Sequence, residues 1–593
     1  MTLFRIYQRI LLLAMLAALT AGDVVAQSRL LDKAKAQRAQ VVPESPDPEA
    51  PRNEIATEEE KEEPEADSTP LGVDIASIRI IPHQDKADQS PAVGAEPIEI
   101  DPEISAPENL TAVLEPYLGQ PVSMALLAKL AKEIIVAWRE NDYPIVDVYY
   151  PEQNITGGKV QIVAREAVFG KVEVEGAKYS KPEYLEKNVR LDAGDRINRH
   201  ILEADLDWLN ENPIRQVNLI YDRGDEDGTS DIILQAIEEE PFTSYLGFGN
   251  TGIPLTGENE WSAGFNWANP FRTEQSIGYH FATDAEFETL QAHSLFYRNF
   301  LPWRHELRLL ATSVNTNVFQ DDPAFPSELF GESSQFTLEY RIPLPRVQKI
   351  KGLKHSIVTG IDYKTTNTDL LFGGLNALDS SLVVFQFRAQ YEAEWPDAFG
   401  YTRWSAGASI APGNVVHGND DLRFDQLREG ASADYVYGYG ELERAVKLPA
   451  GFQFMFRGTG QLTNERLNSS EQLLAGGYLT VRGFDENYVR GDSGGIISTE
   501  LISPSFNLLG SSAPELKDQW NVFGFYDAAH LDISNPLPTE LNMDLQSAGI
   551  GVTCRISKSA FLRASYGWVV DTNGIIDDEL ADGRAHFGVT MRY

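Results

Sequence analysis

Two short stretches carry residue types that do chemistry elsewhere. Gly491-Asp492-Ser493-Gly494-Gly495 gives a serine the setting of a chymotrypsin-like nucleophile, and Ala528-Ala529-His530 echoes the histidine that would be its base. Such catalysis needs the hydroxyl within reach of a base that an aspartate orients. The order along the chain is reversed from that protease class, where the histidine comes first. Ile496 stands where such sites carry proline, and the single cysteine, Cys554, excludes the disulfides that brace them. No residue is therefore assigned a catalytic role. The acidic turn Gly224-Asp225-Glu226-Asp227-Gly228 invites a calcium reading, but its carboxylates lack EF-hand spacing and a plain hairpin turn fits better. The nine histidines are scattered, and no nucleotide-binding loop is present, so no metal, cofactor or nucleotide is expected.

Charge pairing is the other chemistry on offer. Arg482 sits in Gly476-Gly477-Tyr478-Leu479-Thr480-Val481-Arg482-Gly483-Phe484, between small and apolar neighbours. The glycines mark a loop. A permanently charged guanidinium in poor solvent wants a carboxylate, whose geometry its planar fork matches. These nine residues alone fit a solvated surface loop equally well. Their position argues otherwise, because they lie late in a long array of alternating strands. A second motif, Phe525-Tyr526-Asp527-Ala528-Ala529, follows them.

The elements that must position these residues begin with an export signal. Arg5 and Arg9, the apolar run Ile10 to Ala21 and the small residues Val24 and Ala26 read as a signal peptide over residues 1–26. No later stretch supplies the roughly twenty apolar residues of a membrane helix, so any crossing must use strands closed into a barrel. The net charge of -38 argues against a nucleic-acid partner. Residues 27–72, rich in Pro, Glu and Ala, are read as a disordered acidic linker, with room for a short helix near residues 28–40.

Residues 73–165 suggest a β-α-α-β-β module: strand Val73 to Ile81, helices Leu110 to Leu118 and Met124 to Glu140, strands Tyr143 to Tyr150 and Lys159 to Ala164. The stretch Pro82 to Ile100 is longer than such a connection needs. Residues 166–240 repeat the plan, with helices Lys181 to Asn188 and Arg199 to Asn210. A small sheet with an open edge suits capture of extended chains.

From residue 241 to residue 593 the texture changes. Phe385, Phe387, Ala389, Tyr391, Ala393 and Trp395 alternate with Gln386, Arg388, Gln390, Glu392 and Glu394. A membrane barrel turns the first set to lipid and the second to a wet lumen. The pattern recurs around Trp261, Phe336, Phe452 and Leu562, and the last strand ends on Tyr593. About a dozen strands are legible, and the alternation alone does not fix their count.

The Val481-Arg482-Gly483-Phe484 loop, with Asp492-Ser493-Gly494 and Glu500-Leu501 after it, resembles the VRGF loop of outer-membrane transporters that join POTRA domains to a β-barrel, in their two-partner-secretion branch (the haemolysin secretion/activation type). Pro151-Glu152-Gln153-Asn154-Ile155-Thr156-Gly157-Gly158 is similar to that family's first POTRA signature. The resemblance implies an antiparallel barrel of about sixteen strands behind two POTRA domains. It implies a loop, near residues 473–491, that folds into the lumen and pairs Arg482 with Asp527 of the strand motif Phe525 to Ala529. Ala529 departs from the family's glycine. It implies no enzyme but a pore in the outer membrane of a Gram-negative-type cell, with POTRA domains in the periplasm. The partner would be an unfolded secreted exoprotein of adhesin or cytolysin type. Outer-membrane lipid and, during insertion, the barrel-assembly machinery would be the other partners. A barrel-assembly insertase of the same superfamily and a passive porin or adhesin scaffold are the rival readings. The helix near residues 28–40 would correspond to a lumen plug.

Overall fold

The computed structural model describes residues 55–57, 67–88, 96–226, 228–320, 327–347, 349–350, 352–372, 375–510, 514–573 and 582–593. The expected signal peptide and plug helix lie outside these residues. The chain divides into two compact units, with the boundary between Glu240 and Pro241.

In the first unit, two small sheets each carry a pair of helices. Strand Ser77–Ile81 lies between Ile98–Ile100 and Lys159–Glu166, parallel to both, and Val146–Tyr149 pairs antiparallel at the far side. Helix Met124–Glu140 starts at Ser123, whose Oγ accepts the Leu126 amide at 3.1 Å, a normal N-cap bond. It buries Leu130, Ile134 and Trp138 against Ile78, Ile80 and Ile162 of the sheet. The overlong Pro82 to Ile100 stretch thus contains an edge strand. The helix expected over Leu110 to Leu118 is α-helical only over Leu110–Leu114. It tightens to a 3₁₀ turn at Glu115–Tyr117, where Pro116 has no amide to continue the ladder.

The second sheet runs Ile55–Thr57, Arg215–Arg223, Thr229–Glu238, Val168–Glu175. Helix Arg199–Leu209 is capped by Asn198 and packs Leu202, Leu206 and Leu209 on Val217, Leu219, Ile232 and Leu234. The acidic turn joins two strands of this sheet, and its Asp225 carboxylate holds Lys171 Nζ at 3.0 Å.

Reading residues 27–72 as uniformly disordered needs correction at two places. Ile55–Thr57 pairs in parallel with Leu219, Ile220 and Tyr221. The chain is also tied to the first module before residue 73: the Ala125 amide donates to the Asp67 carbonyl at 3.0 Å and the Leu71 amide to the Val122 carbonyl at 2.8 Å. A strand edge asks only for backbone groups, which an acidic, proline-rich sequence still supplies.

The second unit is a closed antiparallel barrel of sixteen strands. Closure is made by Gly583–Arg592 on Phe242–Gly249, and the Ser244 and Tyr593 backbones exchange hydrogen bonds of 3.0 and 2.9 Å beside it. Closure satisfies every strand edge, as lipid requires. From Phe385 to Trp395, within strand Leu375–Asp397, the expected alternation holds: Phe387 is 48% exposed on the outer wall and Gln386 is buried inside. Phe271, Trp303 and Phe399 stand exposed in the short turns at one end, where aromatic anchors belong. The inner wall is a lattice of paired charges. Glu306 joins Arg298 at 2.7 Å, Arg308 at 2.5 Å and Arg341 at 3.2 Å; Arg388 pairs with Glu339; Arg403 spans Glu394 and Glu443 at 3.4 Å each.

Candidate functional site

Strand Gln453–Leu462 does not hydrogen-bond to the strand that follows it through a short turn. Its wall neighbour is Ser493–Ile502, and the chain between them turns into the lumen. A short ribbon, Leu473–Ala475 with Val489–Gly491, stiffens the base of this inserted loop. Its tip is a tight turn. The Gly477 amide donates to the Val481 carbonyl at 3.1 Å, Thr480 Oγ1 donates to the Gly476 carbonyl at 3.0 Å, and the Tyr478 amide donates to Glu486 Oε1 at 2.6 Å.

Arg482 at this tip is 2% exposed and Asp527 is fully buried. Arg482 Nε donates to Asp527 Oδ2 at 2.7 Å and Nη2 to Oδ1 at 2.7 Å, the bidentate fork, while the Arg482 backbone amide adds a bond to Oδ2 at 3.0 Å. Nη1 donates to Glu500 Oε1 at 2.5 Å and Nη2 to Ser498 Oγ at 3.0 Å. The guanidinium also lies over the Phe525 ring, 3.7 Å from its centroid, a cation–π contact in a poorly solvated place. Arg563 completes the cluster with a 2.6 Å bond to the same Glu500 oxygen. A buried arginine is tolerable only when its donors and charge are met in this way.

The strand register explains the convergence. Ser498 lies opposite Asp527 and Glu500 opposite Phe525 on neighbouring strands, all on the inner face. Val481 and Phe484 insert beside Arg482 into an apolar cluster with Ile496, Ala529 and Leu545. The alanine at 529 is thus part of the seat, and its methyl packs where the family pattern has none. Gly483 has φ +121°, a conformation side chains resist, and a Cβ there would come 3.0 Å from Ser547 Cβ. Opposite it, a Cβ on Gly567 would meet the Arg482 carbonyl at 2.4 Å. The loop backbone lies directly on that strand.

Arg482, Val481, Gly483 and Phe484 of the loop thus meet Phe525, Asp527 and Ala529 or the neighbouring wall at one place, while Gly476 and Gly477 shape the turn beside Glu486 and Tyr488. Glu500, Ser498 and Arg563 join them without having been expected from the motifs. The signal for two of them existed: Ser498 and Glu500 alternate with Ile497, Thr499 and Leu501, which places them on one face. The serine and histidine of the protease-like stretches have other engagements. Ser493 Oγ donates to the Thr463 carbonyl at 2.9 Å, and His530 contacts Asp544 at 2.6 Å and Asp532 at 3.3 Å.

The root of the loop is held by a second set of ions. Asp492 accepts a bidentate pair from Arg428, at 2.5 and 2.9 Å, and bonds from the Leu467 and Ser534 amides. Glu471 takes Lys364 at 2.6 Å and Tyr437 at 3.0 Å. Helix Asp421–Leu427 buries Phe424 against Leu382, Val384 and Leu467 beside them.

The comparisons agree with this architecture. The family model for haemolysin secretion/activation protein ShlB/FhaC/HecB matches residues 228–552, and a ShlB-type POTRA domain matches residues 101–166. The heme/hemopexin transporter protein HuxB of Haemophilus influenzae is 22% identical over 66% of this chain and 69% of its own length. The outer membrane transporter CdiB of Dickeya dadantii is 22% identical over 66% of this chain and 68% of its own. The solved structure of CdiB from Escherichia coli shares the fold, with a TM-score of 0.68 at 17% identity over 97% of this chain and 98% of that one. With residues 228–552 of 593 matched by one family and a POTRA domain before them, the chain belongs to the haemolysin secretion/activation family of outer-membrane transporters.

Proposed function

We propose that Arg482 and its carboxylates form a latch that holds the inserted loop across the lumen, and that the loop shifts while a partner chain passes. The chain is an outer-membrane transporter that works with a secreted partner protein, its POTRA modules lying in the periplasm. In the reading proposed, the partner is a large exoprotein of adhesin or cytolysin type, taken unfolded from the periplasm. The edge strands Ile98–Ile100, Val146–Tyr149 and Val168–Glu175 offer backbone groups to an extended segment. The paired Arg and Glu side chains of the lumen wall give a passing chain a wet, polar surface. Outer-membrane lipid surrounds the barrel, and the barrel-assembly machinery handles its insertion. Folding of the partner outside biases the direction.

The observation that carries the latch is the buried Arg482–Asp527 fork, made by a loop that the wall itself does not need. The experiment is secretion of a cognate exoprotein, identified by comparing surface proteins with and without this chain. Deleting residues 67–166 should abolish its export at unchanged barrel abundance. Normal export by that variant would overturn the capture role of the modules.

A further inference from the structure

The outer wall carries a recess where a lipid-facing barrel would be expected to be smooth. About 410 Å³ of open volume lies over strands Leu290–Phe300, Glu306–Gln320 and Ser327–Pro343, within the range of about 300–1,000 Å³ typical of small-molecule sites. Its floor is small: Ala311, Ser313 and Ser334. Its sides are large: Tyr279 on one flank, Phe336 and Tyr363 on the other. Leu295, Phe336 and Tyr363 are exposed, whereas their chain neighbours Ser294 and Gln335 are buried toward the lumen, so the recess opens outward.

The register gives its height in the membrane. Leu295, Ala311, Phe336 and Tyr363 form one row across four strands. The next row is His293, Ser313, Ser334 and Thr365, and the one beyond is Gln291, Asn315, Glu332 and Asn367. The outward face thus turns from apolar to polar within the recess. Pro241 joins the periplasmic modules to the first barrel strand, so turns such as that at Trp303 are periplasmic and the polar rows lie toward the exterior. Tyr279 Oη bonds His293 Nδ1 at 2.7 Å, fixing a polar rim at this boundary.

We propose that this recess is a binding site for an outer-leaflet glycolipid, one acyl chain filling the space over Ala311 and its hydroxyl-rich head lying on the polar rows. The recess is continuous with the lipid-facing wall, which supplies the chain. In the row above, Gln291, Asn315 and Asn367 offer amides suited to the hydroxyls of the head, and the Glu332 carboxylate repels a phosphate.

The test uses the full chain reconstituted in phosphatidylethanolamine vesicles containing a dialkyl glucoside with a diazirine in one alkyl chain. Parallel vesicles carry the same diazirine chain on phosphatidylglycerol. After irradiation, adducts mapped by mass spectrometry should concentrate on the three recess strands over Ala560–Asn573, an equally lipid-facing strand. Ala311→Leu fills the floor and should lower the recess adducts by about ten-fold, the effect of displacing one or two methylenes from contact. Labelling elsewhere should not change. Ser334→Val serves the same purpose if Ala311→Leu loses the heat-modifiable mobility of a folded barrel. Adducts spread evenly around the wall, or unchanged by both variants, would overturn the site. Equal labelling by the phosphatidylglycerol probe would overturn the glycolipid assignment.

Discussion

Asp527 accepts three hydrogen bonds from the one residue Arg482, through its backbone amide, Nε and Nη2. Side chain and main chain of the loop are thereby fixed to a single carboxylate on the wall. Truncating the arginine leaves that carboxylate buried without its counter-charge, a loss on the order of 3–5 kcal/mol for a fully buried pair. The wall has its own backbone ladder and does not depend on the loop. Arg482→Ala should therefore cut secretion far more than outer-membrane abundance, read by surface immunoassay and by barrel immunoblot. Arg482→Lys should restore only part, because an ammonium cannot make the fork.

The same displacement should follow without touching a charge. A methyl on Gly567 would sit 2.4 Å from the Arg482 carbonyl, too close to stay. Gly567→Ala should reproduce the secretion loss of Arg482→Ala and increase protease cutting within residues 476–487. Gly588→Ala has open space around its Cβ and should behave as the parent.

Much of this was legible because barrels write themselves in alternation. The period-two pattern at Phe385 to Trp395 separates lipid from lumen directly, and the resemblance of the loop and strand motifs to the family's pair implied that Arg482 meets Asp527. The partnership of Glu500 with both Arg482 and Arg563 was not legible, since it depends on strands that meet only after the barrel closes. Arg428 and Asp492 are as remote in sequence and meet only because the loop root folds inward. The Ile98–Ile100 strand is too short for any periodicity to register, and Ile55–Thr57 is recruited by an edge elsewhere. Pro116 is a cue that the helix reading through Leu118 passed over, since the α-helix stops at Leu114.

Accessibility offers a separate check on the wall. With Cys554 replaced by serine, Phe387→Cys should resist a membrane-impermeant, water-soluble thiol reagent while Arg388→Cys reacts. Phe387 lies on the outer face and Arg388 pairs with Glu339 inside. Equal strong labelling of both would place the register or the surroundings of this strand wrongly.

Acid should loosen the 533–542 loop, which is tied through Glu540 to Arg466. Hydrogen bonds from Arg466 hold the Glu540 carboxyl below its ordinary range. A depressed carboxyl stabilises the fold above its unfolded pKa, about 4.3, and that contribution is lost as pH falls through the lower folded value. Cutting of the 533–542 loop by an acid-active protease should rise below about pH 4 in the parent. Glu540→Gln should show high cutting already at pH 6 and a flatter pH response.

The most direct test is a double-mutant cycle on export rate of the cognate exoprotein, using Arg482→Ala, Asp527→Ala and the pair. If one fork latches the loop, each single change removes it, and the double variant should export no more slowly than the worse single variant. Additive losses, with the double variant slower by the product of the two single effects, would show that Arg482 and Asp527 act independently and would contradict the latch.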